Sequence, residues 1–312
     1  MGNGRRVGWG NAPTTRRDGL RYFLAAALGP FVTGSEGATA ELRVVTGGSN
    51  NDSTRQILEA LNRRLPGFVS DVDPRALAQR RGAGVYLSLG PAALEASLAA
   101  PLGGPLLSLF TSNETYTRLL AATAPPASRQ PVGAIYAEAS PQNQMGLIRA
   151  LYARRVAVGV LLSESTANQE SVLRRAARGN DLDIEVQLVR QGESAVRALN
   201  RFSAANVLLT IPDREIYTAD SLRNILESTY RRGQGVIGFT PSLVAAGTLA
   251  AAYAGIDDTV AHAAELVPGL ANGQAPEARY PLYWRVAIND TVARSLNLVV
   301  SSTVRSLGNV PP

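Results

Sequence analysis

The sequence contains no cysteine and no lysine, and its single histidine is His262. The absence of cysteine excludes disulfide bonds, iron–sulfur clusters and cysteine-ligated zinc. The absence of lysine excludes a pyridoxal-phosphate Schiff base, a Walker-A lysine and a serine–lysine dyad. Any histidine-containing triad or metal site would have to use His262, which lies in a predicted helix. We interpret His262 as a surface or packing residue of that helix, and we expect neither a cofactor nor a bound metal.

All 31 basic residues are arginine, and they give the chain a formal net charge of +6. Residues 1–40 hold five of these arginines against two acids, so half of the net charge lies in that segment. The other arginines occur mostly as scattered pairs at predicted helix ends, where positive charge complements the helix dipole. A basic stripe with interleaved aromatic residues is missing, and we therefore expect no nucleic-acid partner.

Residues 1–40 have the pattern of a signal peptide. A basic start is followed by an apolar run from Tyr22 to Val32, and Ala38 and Ala40 form a small-residue cleavage signal. The run is shorter than the ~20 residues of a membrane-spanning helix. We predict cleavage after Ala40 and export to the periplasm, with a disordered tail or a buried helix as the alternative. Arg16-Arg17 partly matches a twin-arginine signal but Gly19 replaces the expected Phe, which leaves the export route open.

From Glu41 onward, short apolar strand patterns alternate with amphipathic helix patterns. Such alternation is typical of parallel sheets that are covered by helices on both faces. About ten strands are predicted, which is more than one doubly wound sheet holds comfortably. We therefore expect an α/β protein of two doubly wound lobes joined by a hinge. The boundary is predicted within residues 124–141, which places the first lobe at 41–136 and the second at 137–248.

Small polar residues and acids follow most of the predicted strands. Ligands in open α/β sheets bind beyond the carboxyl ends of the strands, so these positions predict one binding site for a small polar solute. For any one of these residues alone, capping of the following helix is the favoured explanation. For the set, the recurrence of small polar groups at one end of the sheet favours ligand binding. Tyr116, Tyr136, Phe239 and Tyr253 are candidates for a face of the ligand, although core packing is the alternative. The predicted ligand-binding residues are Ser49, Asn50, Gly90, Pro91, Ser112, Asn113, Glu138, Ser163, Glu164, Asp213, Ser242 and Tyr253.

No nucleophile–base pair is evident in the sequence. Glu138, Glu164 and Asp213 could in principle supply paired carboxylates for glycoside hydrolysis. Recognition of amino groups or hydroxyls by these acids is the simpler interpretation. We therefore predict no catalytic residues and no enzyme activity, and we keep an exported two-carboxylate hydrolase as an alternative.

Four segments of the chain carry a resemblance to a known family. They are LSLGPAALEA, VGVLLSESTANQESV, the long block from Gly247 to Pro276 and INDTVARSLNLVV. In this order they resemble the substrate-binding proteins of ABC transporters that include tryptophan-binding members, over most of residues 41–304. Asn297 stands where the family usually has Gly, and Asn also tolerates the left-handed conformation of a helix end. Thr166 stands where amino-acid-binding members tend to carry Glu, so an amino-acid ligand does not follow from the resemblance.

The resemblance implies the type I periplasmic-binding-protein fold and a function. It implies an exported protein that closes on a small polar solute, an amino acid or similar, and delivers it to an inner-membrane ABC permease. Residues 249–276 are expected to complete the first lobe, with TLAAAYAG as a strand beside the hinge, and residues 277–312 to complete the second. The alternative is an envelope interaction or sensor protein with the same fold. We expect a monomer, with a dimer left open.

Overall fold

The computed structural model of the protein describes residues 41–48, 51–71, 84–100, 102–123 and 130–312. The predicted signal peptide, residues 1–40, lies outside the described residues. Within the described ranges, no helix is both long enough and apolar enough to cross a bilayer.

A six-stranded sheet forms the centre of the first lobe, and all of its neighbouring strands are parallel. Its strands are β1 (Glu41–Val45), β2 (Val69–Asp71), β3 (Gly84–Leu89), β4 (Leu106–Thr111), β5 (Val132–Tyr136) and β11 (Ala278–Arg279). Their order in space is β11-β5-β4-β3-β1-β2. Helices cover both faces: α1 (Asp52–Arg64) and α9 (Ile256–Ala271) lie on one side, and α2 (Pro91–Ala99) and α3 (Asn113–Ala122) on the other.

A second six-stranded sheet forms the centre of the second lobe. Its strands are β6 (Ala157–Leu162), β7 (Asp183–Leu188), β8 (Val207–Leu209), β9 (Gly235–Gly238), β10 (Ala250–Tyr253) and β12 (Arg285–Ile288). The order is β12-β10-β9-β8-β6-β7, and only the pairing of β12 with β10 is antiparallel. The remaining helices are α4 (Pro141–Tyr152), α5 (Glu170–Gly179), α6 (Ala195–Leu199), α7 (Ala219–Tyr230), α8 (Pro241–Ala245), α10 (Asp290–Ser295) and α11 (Ser302–Arg305).

The predicted two-lobed architecture is confirmed. Successive strand residues point to opposite faces, so a strand that is covered on both faces must be apolar throughout. In β1, for example, Val44 packs in the core beneath α1 and α9, and Val45 packs in the core beneath α2 and α3. His262 is buried within α9, where its Nδ1 accepts a hydrogen bond from the backbone N–H of Leu282 at 3.1 Å.

The chain passes between the lobes three times. The first crossover, residues 137–140, follows β5; the second, residues 254–255, follows β10; and the third, residues 280–284, joins β11 to β12. The first two lie side by side, because Glu138 and Tyr253 form an antiparallel backbone bridge. Three segments of chain therefore connect the lobes.

The pairing of two strands corrects the expected lobe assignment. Residues 250–253 were expected in the first lobe, but β10 pairs with β9 and β12 of the second sheet. Residues 278–279 were expected in the second lobe, but β11 pairs with β5 of the first. The side chain of Gln144 on α4 fixes β10 by bonding to both the N–H and the C=O of Ala252, at 3.2 and 2.8 Å. A run of small apolar residues fits either sheet, so its sequence could not predict this pairing.

Replacing Arg285 with Ala is expected to lower the free energy of unfolding by about 1–3 kcal/mol. Arg285 in β12 donates three hydrogen bonds to Asp258 at the start of α9, and the Asp258 side chain is only 1% exposed. Without Arg285, this buried carboxylate keeps the N–H of Gly255 as a donor but loses its cation. Chemical denaturation followed by circular dichroism measures the loss.

Arg63 provides the matched control for Arg285. It bonds to Asp257, the residue next to Asp258, but both side chains of this pair are more than half exposed. Exposed ion pairs contribute about 0–1 kcal/mol, so Arg63→Ala should change the unfolding free energy very little. If both variants lost the same free energy of unfolding, the burial of Asp258 would not explain the effect of Arg285→Ala.

Candidate functional site

A narrow space lies at the carboxyl ends of strands from both sheets, beside the first and third crossovers. Its cavity volume in this structure is about 10 Å³, which is room for about one water molecule. In a parallel sheet all strands point the same way, so their carboxyl ends lie at one edge and side chains that follow different strands converge there. The described residues that line it are Glu138, Ala139, Pro141, Gln144, Gln169, Leu209, Thr210, Ile211, Pro212, Phe239 and Tyr280.

Glu138 is the acid of this site. It follows β5 in the first crossover and is only 6% exposed. Its Oε1 accepts a hydrogen bond from the backbone N–H of Asn113 at 3.0 Å, whereas its Oε2 is buried without a hydrogen-bond partner. Burial raises the pKa of Glu138 to about 7 and the nearby carboxylate of Glu114 adds to the rise, although the bond from Asn113 opposes it. The carboxyl group therefore titrates near neutral pH.

Three tyrosines form a row that ends at Glu138. The rings of Tyr116 and Tyr136 meet edge to face at 5.8 Å between centroids, and those of Tyr136 and Tyr280 at 5.0 Å. Edge-to-face packing is a favourable arrangement of aromatic rings. Burial raises the pKa of Tyr280, and the charge of Glu138 raises it further. Tyr280 therefore keeps its phenol proton at the near-neutral pH at which Glu138 ionises.

Asp213 lies in the turn after β8, and its carboxylate accepts hydrogen bonds on both oxygens. Its Oδ2 accepts hydrogen bonds from the N–H of Ser163 at 3.1 Å and the hydroxyl of Thr166 at 2.7 Å. Its Oδ1 accepts from the N–H groups of Glu215 and Ile216 at 2.9 and 3.1 Å. Both carboxylate oxygens are thus used inside the protein, and Asp213 fixes the turn after β6 to the turn after β8. Thr166, at the position where the resembling family tends to carry Glu, is part of this network.

The other predicted binding residues do not line this space in the described part of the chain. Ser112 caps α3 by accepting a hydrogen bond from the N–H of Thr115 at 3.2 Å. The hydroxyls of Ser163 and Ser165 bond to each other at 2.8 Å. The capping residue of α8 is Thr240 rather than the exposed Ser242.

The remaining predictions fall into three groups. Gly90 precedes α2 with a φ of +83°, and Pro91 is exposed at the first position of that helix. Glu164 is exposed, and Tyr253 is half-buried beside Glu138 at the end of β10. Ser49 and Asn50 lie outside the described residues. The structure therefore brings Glu138, Asn113 and Tyr253 together, and the other predicted residues that it describes lie apart from them or have other roles.

Several lining residues were not predicted from the sequence. Gln169 is buried in a 3₁₀ turn before α5, and Gln144 lies on α4. Tyr280 follows β11, a strand of only two residues that has no recognisable pattern. Phe239, which directly follows β9, was among the aromatic candidates and does line the space.

Comparisons with known proteins identify the fold. No protein-family model and no curated protein matches the sequence. An ABC domain in complex with L-Trp from Streptococcus pneumonia is 16% identical, with a TM-score of 0.53 over 85% of this chain and 97% of that one. The ligand-free, open structure of a substrate binding protein with adhesive properties from Clostridium difficile is 14% identical, with a TM-score of 0.57 over 87% and 99%.

A conserved domain protein from Vibrio cholerae is 17% identical, with a TM-score of 0.52 over 85% of this chain and 97% of that chain. At such low identities the likeness concerns the backbone. Together with the two six-stranded sheets and three crossovers, it shows that this chain has the type I periplasmic-binding-protein fold.

Proposed function

We propose that this protein binds a small polar solute between its two lobes. The observation that carries the proposal is Glu138, whose buried oxygen has no partner and which lines a space formed by strand ends of both sheets. Buried polar atoms in folded proteins nearly always have a hydrogen-bond partner, so an unpartnered carboxylate oxygen beside a cleft is a candidate contact for a ligand. A solute in this position would contact both lobes and would favour their closure.

The proposal extends to export and transport. Residues 1–40 have the pattern of a cleavable signal, and the four family-like segments resemble substrate-binding proteins of ABC transporters. Of two solved structures of similar fold, one is named as an ABC domain in complex with L-Trp and the other as a substrate binding protein with adhesive properties. We therefore infer a periplasmic protein that delivers its solute to an ABC-type permease of the inner membrane, with an amino acid or a similar compound as the solute.

The two-carboxylate hydrolase has less support. Glu164 is exposed, both oxygens of Asp213 are occupied by donors of the protein, and neither residue lines the space with Glu138. A glycosidase needs two carboxyl groups that face each other across the bond to be broken. Solute binding requires no such pair, and it is the function that the geometry of this site supports best.

Addition of the cognate solute is expected to raise the melting temperature by about 5 °C or more. A ligand at about 100 times its Kd stabilises the folded state by roughly 2.7 kcal/mol, provided that it does not bind the unfolded chain. The protein should first be unfolded and refolded to remove carried-over solute. It is then screened by thermal shift against amino acids, aromatic acids, sugars, nucleosides and polyamines.

Small-angle X-ray scattering on the compounds that bind provides the second readout. A binding protein should become more compact with its solute, and the solute should be recovered unchanged. Chemical conversion of the compound would contradict the proposal in favour of an enzyme. A folded protein that gives no shift with any class would contradict solute binding and favour an interaction role.

A further inference from the structure

The charge balance around Glu138 indicates what kind of solute the site takes. The groups that act on its carboxylate are the N–H of Asn113 from α3, the carboxylate of Glu114 from the same helix and its own backbone N–H. Tyr136 of β5 and Tyr280 after β11 lie close enough that the charge of Glu138 raises the pKa of both. Tyr253 of β10 pairs with it through the backbone. None of these groups is a cation.

Arginine is also missing from the described residues that line the space. Arg118, the basic residue nearest in sequence to this acidic pair, lies on α3 and reaches Glu114 at 3.4 Å with a side chain that is 41% exposed. Arg285, next to the second crossover, is bound to Asp258. A buried carboxylate without a cationic partner is costly, and it favours a ligand that brings the positive charge.

The aromatic residues of the site are compatible with a cation. Tyr280 and Phe239 line the same space as Glu138, one from the third crossover and one from the end of β9. Aromatic rings attract cations through their negative faces. The neutral amides of Gln144 and Gln169 and the hydroxyl of Thr210 complete the polar lining of the described residues. An acidic solute would find no positive charge among these groups.

We propose that the solute is an organic cation whose protonated amine pairs with Oε2 of Glu138, so that the site prefers amines to acids and uncharged sugars. The inference rests on the proposed solute-binding function and names the chemical class of its ligand. It places the carboxylate of Glu138, the ring of Tyr280 and the ring of Phe239 around one ammonium group.

The experiment measures the affinity of the full chain for amines and for compounds of the same skeleton without the amine. The pairs are putrescine with succinate and 1,4-butanediol, phenethylamine with 3-phenylpropionate, and tryptamine with indole-3-propionate. Spermidine and agmatine extend the amine side, and the sugars and nucleosides of the thermal-shift screen form the comparison. We expect the compounds that bind to be amines, and calorimetry then gives their Kd.

The Glu138→Gln variant should bind these amines at least about 30-fold more weakly, because it loses the charged partner. Glu95→Gln is the matched control, since Glu95 is exposed on α2 and does not line the space. It should bind like the unmodified protein. Melting curves of both variants without ligand establish that each is folded.

The pH dependence provides a readout that a merely structural role of Glu138 would not give. The amine stays protonated up to a pH of about 10, so only the carboxyl group titrates between pH 5.5 and 8. With a pKa of about 7 for Glu138, the affinity for the amine should be about 30-fold lower at pH 5.5 than at pH 8. Glu138→Gln should abolish this dependence.

Three results would overturn the inference, and they are distinguishable. Tight binding of an acid or a sugar with compaction of the protein would leave solute binding intact and refute the cationic ligand. Amine binding that is unchanged in Glu138→Gln, or independent of pH, would refute the role of Glu138. A folded protein that binds no compound of any class would refute the proposed function together with the inference.

Discussion

Replacing Asp213 with Ala is expected to lower the free energy of unfolding by about 3 kcal/mol or more. Asp213 is 3% exposed and accepts four hydrogen bonds, three from backbone N–H groups and one from the hydroxyl of Thr166. Alanine would leave the N–H groups of Glu215 and Ile216 without this acceptor, whereas the Ser163 N–H and the Thr166 hydroxyl each lose one of two acceptors. Each buried polar group without a partner costs about 1–3 kcal/mol. The turns after β6 and β8 would lose the side chain that joins them.

Two further variants make this prediction specific. Asp220→Ala removes an exposed acid from the first turn of α7 and should cost less than about 1 kcal/mol. Asp213→Asn should fall between the two, because its amide keeps one acceptor oxygen but turns two N–H donors toward groups that also donate. The measurement is denaturant unfolding followed by circular dichroism. Normal stability of Asp213→Ala with loss of ligand binding would instead restore the ligand-binding role expected from the sequence.

Replacing Glu138 with Gln is expected to stabilise the protein without ligand at alkaline pH. The folded state raises the pKa of this carboxyl group from its ordinary value of 4.5 to about 7, mainly through burial. A difference of this size corresponds to about 3 kcal/mol between the two protonation states. Ionised Glu138 therefore costs stability that a neutral amide of the same shape does not cost.

The sign of the pH dependence follows from the direction of this pKa shift. Below a pH of about 4.5, Glu138 is protonated in both the folded and the unfolded chain and costs nothing. Between pH 4.5 and 7 the folded state binds more protons than the unfolded state, so stability falls as the pH rises. Above pH 7 the loss is complete.

The advantage of Glu138→Gln over the unmodified protein should thus grow by about 2–3 kcal/mol between pH 5 and pH 8. Denaturation at several pH values measures it, and Glu95→Gln should show no such trend. An advantage that is constant with pH would mean that Glu138 is not buried as described. If the trend is present and the amines bind, the acid reduces stability in order to hold a ligand, as functional sites often do.

The sequence predicted the fold well because the fold depends on local patterns. Most residues of the central strands are apolar, and a helix pattern follows almost every one of these strands. Even a detail such as Asn297 was interpretable, since it takes the left-handed conformation expected at a helix end, with a φ of +55°. The two strands assigned to the wrong lobe, β10 and β11, are short and have small or polar side chains. Their pairing depends on contacts far away in the sequence.

The candidate site was predictable only in part, for a related reason. Glu138 and Asp213 are both acidic and both follow a strand, so the sequence pattern gives the same prediction for the two residues. The structure separates them, because four donors surround Asp213 whereas one oxygen of Glu138 has none. Whether a buried group is satisfied depends on neighbours that come from other elements. For this reason Tyr280 and Gln169 were missed.

The three crossovers have a consequence for the order in which the molecule can be assembled. Neither lobe is a continuous piece of chain: Ala134 in β5 pairs with Ala278, and Ala251 in β10 pairs with Ala287. During synthesis the first lobe cannot acquire its edge strand β11 until Arg279 has been made, and the second lobe cannot acquire β12 until Ile288 has been made. Pairings between such distant segments slow folding, because the chain loses the entropy of a long loop before the stabilising contacts form. Both sheets thus remain incomplete until these two strands have been made.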